Sequence, residues 1–484
     1  MRSLSVVLFL SLLAPTAAAQ LIPVKTVPVA AGDQFLIVPS RALGMGGLSI
    51  ALDDSLADPF VNPAKGARLS GSSLLAAPAF YSISRNAGNA GTLPLGAVFA
   101  PGERRWFGGG MLAFQQLSAG DRFAGFRSIG GATPLSEGSG NNLYGTAILG
   151  RRLGEGDLAV GVAAFVADLA AMDGVDLLYP GNIGLSQSGN VVDVRVGLAG
   201  SVATGGTFEV LAVHNRVDMT HDVTYQTGWE LDPTGTIAIP VTRLETNLDR
   251  TNAWGLHGGY VHPLSATTRV GGMLTVNRKS HPKIPNYELM NIPRDPGTTW
   301  AYALGAGIAR SAGSATFGFD VIVQPIRTHT WAEAAVPELA ADGTVIPVGG
   351  TTVDNRFRFT NATIRLGLEQ RQEPASFTLG LELHSVNYSL RQNDRIAQTT
   401  RAQSEHWIEW TPTFGASVAF EEFTLRYVGR LTTGTGQPGV ITGFGRGETG
   451  SPLAADFLPA PRGALTLNDA VVLSHQLSVV MPLR

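Results

Sequence analysis

The chain has 484 residues, with 35 Lys and Arg against 38 Asp and Glu, and this near balance excludes the basic field that nucleic acid binding needs. It contains no cysteine, which excludes disulfides, thiolate metal sites and a lipid-modified N-terminal cysteine. Glycine is enriched at 59 residues and charged residues are depleted at 15%, against usual shares of about 7% and 25%. This composition, with 44% hydrophobic residues, is typical of a membrane β-barrel.

Residues 1–19 have the features of a secretory signal peptide. Arg2 precedes an apolar run from Leu4 to Leu13, and the small residues 17–19 stand before Gln20. Cleavage after Ala19 would leave a mature chain that starts at Gln20. No later stretch has the roughly 20 apolar residues of a membrane-spanning helix. We therefore predict an exported protein without a helical anchor.

The most specific stretch follows, from Ser40 to Ala64, and reads SRALGMGGLSIALDDSLADPFVNPA. Its glycines permit tight backbone with positive φ, and its acidic and Asn-Pro steps supply turn-stabilising hydrogen bonds. The residues alone predict a compact, turn-rich segment. Those that carry the pattern are Arg41, Ala42, Gly44, Met45, Gly46, Gly47, Asp53, Asp54, Asn62, Pro63 and Ala64.

These residues resemble the N-terminal plug of the FadL-type long-chain fatty acid transporter family, a set of outer-membrane barrels that includes PorV-like proteins. The family pattern is R-A-x-G-M-G-G-A, then D-D-A, then N-P-A-G, and Ser55, Asp58-Pro59 and Lys65 depart from it here. The resemblance implies a plug over residues 20–70 inside a barrel over residues 71–484. It also implies a bacterial outer-membrane location, with the membrane's lipids and the barrel-insertion machinery as partners.

Two other interpretations of the glycines are weaker. A dinucleotide-binding fingerprint needs a third glycine where Ser49 stands, opening a helix after a strand. The chain instead continues into the turn at Asp53 and Asp54. A glycine-rich surface loop without a special role is the blander alternative.

From Leu74 onward, segments of about ten residues alternate apolar and polar side chains between turn residues, the pattern of a transmembrane antiparallel up-and-down barrel. In the clearest segment one face holds Phe377, Leu379, Leu381 and Leu383, and the other holds Thr378, Gly380, Glu382 and His384. The segments number about 16, an even number as such barrels require, whereas the resembled family has 14. Pro78 and Pro94 make the first two segments the weakest strands.

Connection lengths predict which end of the barrel faces outward. Short turns lie near residues 101–102, 154–156, 204–206, 263–264, 312–313, 372–374 and 421. Long polar or Gly/Pro-rich stretches alternate with them, at residues 119–141, 169–189, 226–250, 279–297, 332–354, 391–405 and 435–468. This alternation predicts periplasmic turns and outer loops.

Side chains on the inward faces include charges of both signs, which we expect to pair across the lumen or with the plug. They are Asp193, Arg195, Asp320, Glu382, Glu409, Arg426 and Arg430. Aromatic residues near strand ends suit the interfacial girdles of a membrane protein. They are Trp106, Trp254, Tyr260, Trp300, Trp331, Trp407 and Trp410.

Two outer loops are unexpectedly apolar, and exposed apolar patches mark binding surfaces. By resemblance they could form a groove that captures a hydrophobic ligand; alternatively they pack on each other over the barrel mouth. The candidate groove residues are Met172, Leu177, Leu178, Tyr179, Tyr287, Leu289 and Met290.

Catalytic and metal-binding motifs are missing from the sequence. It has no G-x-S-x-G elbow, and its nine histidines show no H-E-x-x-H spacing. We therefore predict no enzyme activity, no metal site and no cofactor. The resemblance implies passive uptake of hydrophobic small molecules, such as long-chain fatty acids. The alternative is a PorV-like barrel that binds or anchors exported proteins.

Overall fold

The computed structural model describes residues 21–26, 28–101, 105–118, 139–154, 156–175, 182–231, 234, 238–281, 297–334, 336–438 and 467–483. The predicted signal peptide lies outside these ranges. Within them the chain is almost entirely β-structure, and its strands close into one antiparallel barrel. No helix in the described part is long and apolar enough to cross a membrane.

The strands follow one another around the barrel in chain order. They are β1 (Ser73–Ala76), β2 (Ala79–Ile83), β3 (Gly88–Phe99), β4 (Trp106–Ser118), β5 (Gly140–Arg152), β6 (Ala159–Leu169), β7 (Asn182–Ser201), β8 (Thr207–Leu231), β9 (Ala238–Pro263), β10 (Thr268–His281), β11 (Gly297–Ala312), β12 (Ala315–Glu333), β13 (Glu338–Leu339), β14 (Val345–Ile346), β15 (Thr351–Gln372), β16 (Ala375–Asp394), β17 (Thr399–Ala419), β18 (Thr424–Pro438) and β19 (Leu467–Pro482).

The barrel wall contains 16 strands. β1 and β2 are two halves of one of them, because both pair with β3 on one side and β19 on the other. β13 and β14 pair only with each other, as a small hairpin within the connection from β12 to β15. The structure therefore confirms the 16 strands counted from the sequence segments, and not the 14 strands that the resemblance implies.

Alternation along each wall strand sends apolar side chains outward, as predicted. On β16, Phe377 and Leu379 are exposed on the outer surface, whereas Val386 and Tyr388 are buried inside. Trp407 is an exception to the predicted girdle, because its inward-facing ring packs against Tyr388 with 6.4 Å between the ring centroids. Odd-numbered residues of β17 face the lumen, so this tryptophan cannot reach the membrane interface.

The predicted short turns all fall between consecutive strands at one end of the barrel. Two predicted long loops are shorter than expected. β8 and β9 run 25 and 26 residues and leave only residues 232–237 between them, while residues 395–398 alone join β16 to β17. Strand pairing continues beyond the apolar band because the hydrogen-bond ladder satisfies the backbone N–H and C=O groups there, while the polar side chains face water.

The described residues of the range 21–72 precede the first wall strand, and most of them lie inside the barrel. They contain a 3₁₀ helix at Ala42–Met45, the short helix α1 at Asp58–Val61 and a second 3₁₀ helix at Pro63–Arg68. The first 3₁₀ helix packs against β15 to β18, and the second packs against β4 to β7. The segment therefore touches opposite walls of the lumen, and we call residues 21–72 the luminal segment.

Candidate functional site

The candidate site is built by the turn at residues 40–54 of the luminal segment. Gly46 and Gly47 have φ of 71° and 75°, the left-handed region in which a Cβ is strained. The Asp54 carboxylate accepts hydrogen bonds from Ser40 Oγ at 2.6 Å and from the Ala42 amide at 3.0 Å. The glycines and the aspartate of the resemblance therefore fold this turn locally.

Gly44 serves a different purpose from the one its sequence context suggested. It lies within the 3₁₀ helix and does not have a positive φ. A Cβ at this position would collide with the Thr378 hydroxyl on β16. Close approach to the wall, rather than backbone strain, is therefore what favours glycine here.

The Asn62-Pro63-Ala64 step starts the second 3₁₀ helix. The Asn62 side chain accepts a hydrogen bond from the Ala64 amide at 3.1 Å and donates one to Glu209 at 2.9 Å. Pro63 occupies the first helical turn, where its missing N–H costs nothing. All three residues are buried, so one side chain both caps the helix and ties it to β8.

Glycines on the inner wall receive the two 3₁₀ helices, a feature that the sequence did not single out. A Cβ on Gly380 would collide with the backbone of Met45 and Gly46. A Cβ on Gly161 would lie 2.6 Å from the Pro63 carbonyl carbon. Inward-facing glycines opposite a packed segment are the signal that could have revealed these positions.

Charged side chains fasten the luminal segment to the wall. The Asp320 carboxylate accepts from the Ser49 and Ile50 amides at 2.8 and 3.2 Å. Arg195 donates to the carbonyls of residues 60 and 61 at 3.3 and 3.1 Å and pairs with Asp193 at 2.6 Å. Other pairs to the segment are Arg41 with Glu369, Asp53 with Arg269, Asp33 with Arg430 and Lys25 with Glu409.

The predicted pairing of inward charges is thus observed for most of them. Arg365 and Glu382 complete the set on the wall itself, with 2.8 Å between Nε and Oε2. Burial alone would raise the pKa of the Asp53 carboxyl, but the Arg269 guanidinium lowers it below its usual value. These ion pairs form a charged level across the inner half of the lumen.

Lys65, where the sequence departs from the family pattern, lies between two carboxylates. Its Nζ is 2.9 Å from Glu209 and 3.5 Å from Asp58. Burial raises the pKa of Asp58 to about 7, although Lys65 acts in the opposite direction. Burial would lower the pKa of Lys65, but the two carboxylates raise it above its ordinary value. The ammonium therefore stays charged and holds the second 3₁₀ helix to β8.

Apolar side chains line part of the outer half of the lumen, beside buried polar groups such as Lys279 and Asn247. Phe357 and Phe359 on β15 stack with 6.1 Å between centroids, and Tyr388 on β16 lies 5.2 Å from the Phe359 ring. Across the lumen a second cluster contains Phe35, Ile37, Tyr144, Met172, Val175, Leu185, Val191, Val217, Met219, Val223 and Tyr225. Water-filled barrels have polar interiors instead.

Only one of the predicted groove residues can be placed. Met172 is buried in the second cluster, where it packs with Phe35 of the luminal segment rather than facing outward. Leu177, Leu178, Tyr179, Tyr287, Leu289 and Met290 lie outside the described residues. The groove therefore stays a prediction.

A cavity of about 370 Å³ separates the luminal segment from the wall. Its lining joins apolar side chains, such as Phe35, Ile50 and Met273, to the charged level at Arg365 and Glu382. A path through the lumen would thus pass from apolar surroundings to charged ones.

One wall strand is interrupted where β1 gives way to β2. Pro78 separates the two half-strands, and Pro94 lies on the neighbouring strand β3. The Ala77 amide donates to the Pro94 carbonyl at 3.1 Å, and the Leu477 amide donates to the Pro78 carbonyl at 2.9 Å. Neither proline can return the bond, because proline has no N–H. One wall strand therefore lacks a ladder bond on each side at the same level.

The part of the chain that the structure describes contains no candidate metal site. There, no group of three or more His, Cys, Asp or Glu side chains is placed to hold an ion.

Comparisons with known proteins give structural neighbours only. No family model matches the sequence, and no curated protein matches it. Among solved structures, the chain is similar to the CymD monoaromatic hydrocarbon channel, with 13% identity, 93% of this chain and 99% of that chain covered, and a TM-score of 0.39. It is also similar to a Pseudomonas aeruginosa FadL homologue, with 11% identity, 94% of this chain and 100% of that chain covered, and a TM-score of 0.47. A third similar structure is the P. putida toluene transporter TodX, with 10% identity, 92% of this chain and 98% of that chain covered, and a TM-score of 0.40.

The solved neighbours thus include FadL-family transporters, at low identity. At these values the fold assignment rests on the strand pairing of this chain itself.

Proposed function

We propose that this protein is an outer-membrane channel for passive uptake of hydrophobic small molecules, such as long-chain fatty acids. The observation that carries the proposal is the aromatic cluster in the outer half of the lumen, where Phe357, Phe359 and Tyr388 face inward. Burying an apolar ligand there gains roughly 25 cal/mol for each Å² removed from water. The solved neighbours include a monoaromatic hydrocarbon channel and a toluene transporter, in line with this proposal.

The charged level below this region gives the luminal segment its role as a plug in the proposal. A hydrophobic ligand that moved straight along the axis would have to displace ion pairs between the luminal segment and the wall, such as Asp33–Arg430. Leaving a buried charge unpaired is costly, so the axial path is unfavourable. The interrupted wall at Pro78 and Pro94 offers a sideways exit into the membrane, which an apolar ligand favours.

The test places a charge in the apolar region. Phe359→Asp should lower uptake of a fluorescent fatty acid into proteoliposomes by about tenfold, the effect of losing about 1.4 kcal/mol of binding. Asn387→Asp is the matched control, because its exposed side chain points away from the lumen on the neighbouring strand. Both variants should keep heat-modifiable gel mobility. Equal uptake by wild type and Phe359→Asp would contradict the proposal.

A second candidate function is PorV-like binding of an exported protein. The observation that favours it is the β13–β14 hairpin, where Val336, Leu339, Val345 and Val348 are all more than half exposed. Apolar patches above a barrel suit a protein partner better than a small ligand. Unchanged fatty acid uptake in Phe359→Asp, together with loss of an exported partner on replacing Leu339 and Val345 by Ser, would support this alternative.

A further inference from the structure

A basic patch lies on the outer surface of the wall, beyond the apolar band and at the end with the long loops. Arg327 on β12 faces Arg358 on β15 in direct register. One step further out, Arg356 on β15 faces Arg391 on β16. All four side chains are exposed. We call these residues the arginine patch.

Little in the protein neutralises this patch. Asp354 accepts from Arg356 Nε at 3.2 Å and from His329 Nε2 at 2.7 Å. In the described part of the chain, no carboxylate lies within ion-pair distance of Arg327, Arg358 or Arg391. Among the described residues, only one of the four guanidinium groups therefore has a carboxylate partner.

Two other outward arginines are paired. Arg216 on β8 lies 3.1 Å from Asp218, and Arg250 on β9 forms an ion pair with the same carboxylate. Arg278 on β10, which stands opposite Trp300, is exposed and has no carboxylate within ion-pair distance in the described part of the chain, so it adds to the uncompensated charge beside the arginine patch.

Like charges directly opposite each other destabilise a pair of strands, because their Cβ atoms are only about 5 Å apart. The arginine patch has two such pairs in adjacent rows. Rows on one face of a strand are about 7 Å apart, so the four guanidinium groups can surround a single anionic group. An external anion would turn this repulsion into attraction, and phosphate, like carboxylate, matches the geometry of the guanidinium fork.

The position of the patch indicates where that anion comes from. On β12, Phe317 and Val323 face lipid, and Arg327 follows Val323 by about 13 Å along the strand. Trp300 on β11 pairs directly with Arg327 and is 43% exposed, as expected for an interfacial tryptophan. The arginine patch therefore lies at headgroup depth, continuous with the lipid-facing wall.

We propose that the arginine patch binds the phosphate groups of a phosphorylated glycolipid in the outer leaflet. The acyl chains of that lipid lie against Val323, while its phosphates lie among Arg327, Arg356, Arg358 and Arg391. This inference rests on the outer-membrane location proposed above, but not on the transported ligand. The arginine patch points away from the lumen, so lipid binding and transport can be tested independently.

The experiment measures lipid binding to the purified full-length protein in detergent by native mass spectrometry. The probes are bisphosphorylated lipid A and the same lipid after dephosphorylation. Wild type should prefer the phosphorylated form by roughly tenfold or more, as charge-assisted contacts to phosphate require. The double variant Arg327→Gln with Arg358→Gln should lose this preference.

Arg216→Gln is the matched control, because it removes an outward arginine that already has a carboxylate partner. It should bind lipid A as wild type does. Heat-modifiable mobility confirms that each variant is folded, and fatty acid uptake by the double variant should equal that of wild type.

Three results would overturn the inference. They are equal binding of both lipids by wild type, an unchanged preference in the folded double variant, and full displacement of lipid A by millimolar inorganic phosphate. The last would show a site for free phosphate rather than for a lipid. A barrel that bound lipid A but took up no fatty acid would instead refute the proposed transport function alone.

Discussion

Glycines act at single positions on both sides of the contact between the luminal segment and the wall. Gly46 and Gly47 bend the segment with left-handed backbone, while Gly380 on β16 leaves room for the bend to touch the strand. Neither set would suffice alone, because a turn that cannot reach the wall gains no contacts. The close contact therefore requires glycine both in the luminal segment and on the wall strand that it touches.

Adding one methyl group tests this fit. Gly380→Ala should displace the first 3₁₀ helix, because the new Cβ would overlap Met45 and Gly46, and overpacking of this kind costs about 1–3 kcal/mol. Protease cleavage within residues 40–54 should become faster. Gly272→Ala is the control, since the nearest atom to its Cβ is a carbonyl oxygen at 3.7 Å. Equal cleavage of both variants would show that the wall does not hold the turn.

The luminal segment is an element without a core of its own. It is fixed by wall groups such as Asp320 and Arg195, which bind its backbone, and by packing of Phe35 among wall residues. Because these anchors are spread over opposite strands, the segment spans the lumen instead of following one wall. Its proposed role as a plug follows from this placement.

Removing the segment tests that role. Deletion of residues 21–64 should raise the ion conductance of the barrel in planar bilayers, because the lumen would lose its main contents. Deletion of the β13–β14 hairpin, residues 338–346, is the control, since its apolar cluster involves only outer residues such as Ile346 and Ile396. A deletion barrel that inserts normally and conducts as wild type does would mean that the segment does not occlude the lumen.

The barrel has an apolar surface facing lipid and apolar clusters facing the outer lumen. On β16 the outward side changes from Leu379, which is 61% exposed, to the polar Asn387 only eight positions on. The inward side changes in the opposite sense, from the charged Glu382 to the aromatic Tyr388. On this strand the lumen side is therefore apolar where the outer surface has become polar.

Charge placed at different depths on one strand face should reveal the membrane position. Leu379→Arg should reduce folding into lipid vesicles by about 2–4 kcal/mol, the cost of arginine near the bilayer midplane. Asn387→Arg, further along the same face, should cost about 0–1 kcal/mol. The folded fraction is read from heat-modifiable mobility. Similar losses for both variants would contradict the assigned membrane band.

The sequence by itself determined the strands, their inward and outward faces and the turns at one end. These follow from local alternation and turn residues, which each short segment contains in full. It also identified the turn-rich segment, because Gly46, Gly47 and Asp54 form that turn largely among themselves.

Only the tertiary structure decided what the segment touches. The partners Gly380, Asp320 and Glu209 lie far away in sequence, and each is an ordinary residue in its own strand. The length of β8 and β9 was also undecided, because pairing beyond the membrane depends on the neighbouring strand. The arginine patch arises in the same way, since Arg327 and Arg358 meet only when register places them opposite each other. Register is a property of closed pairing, and no single segment contains it.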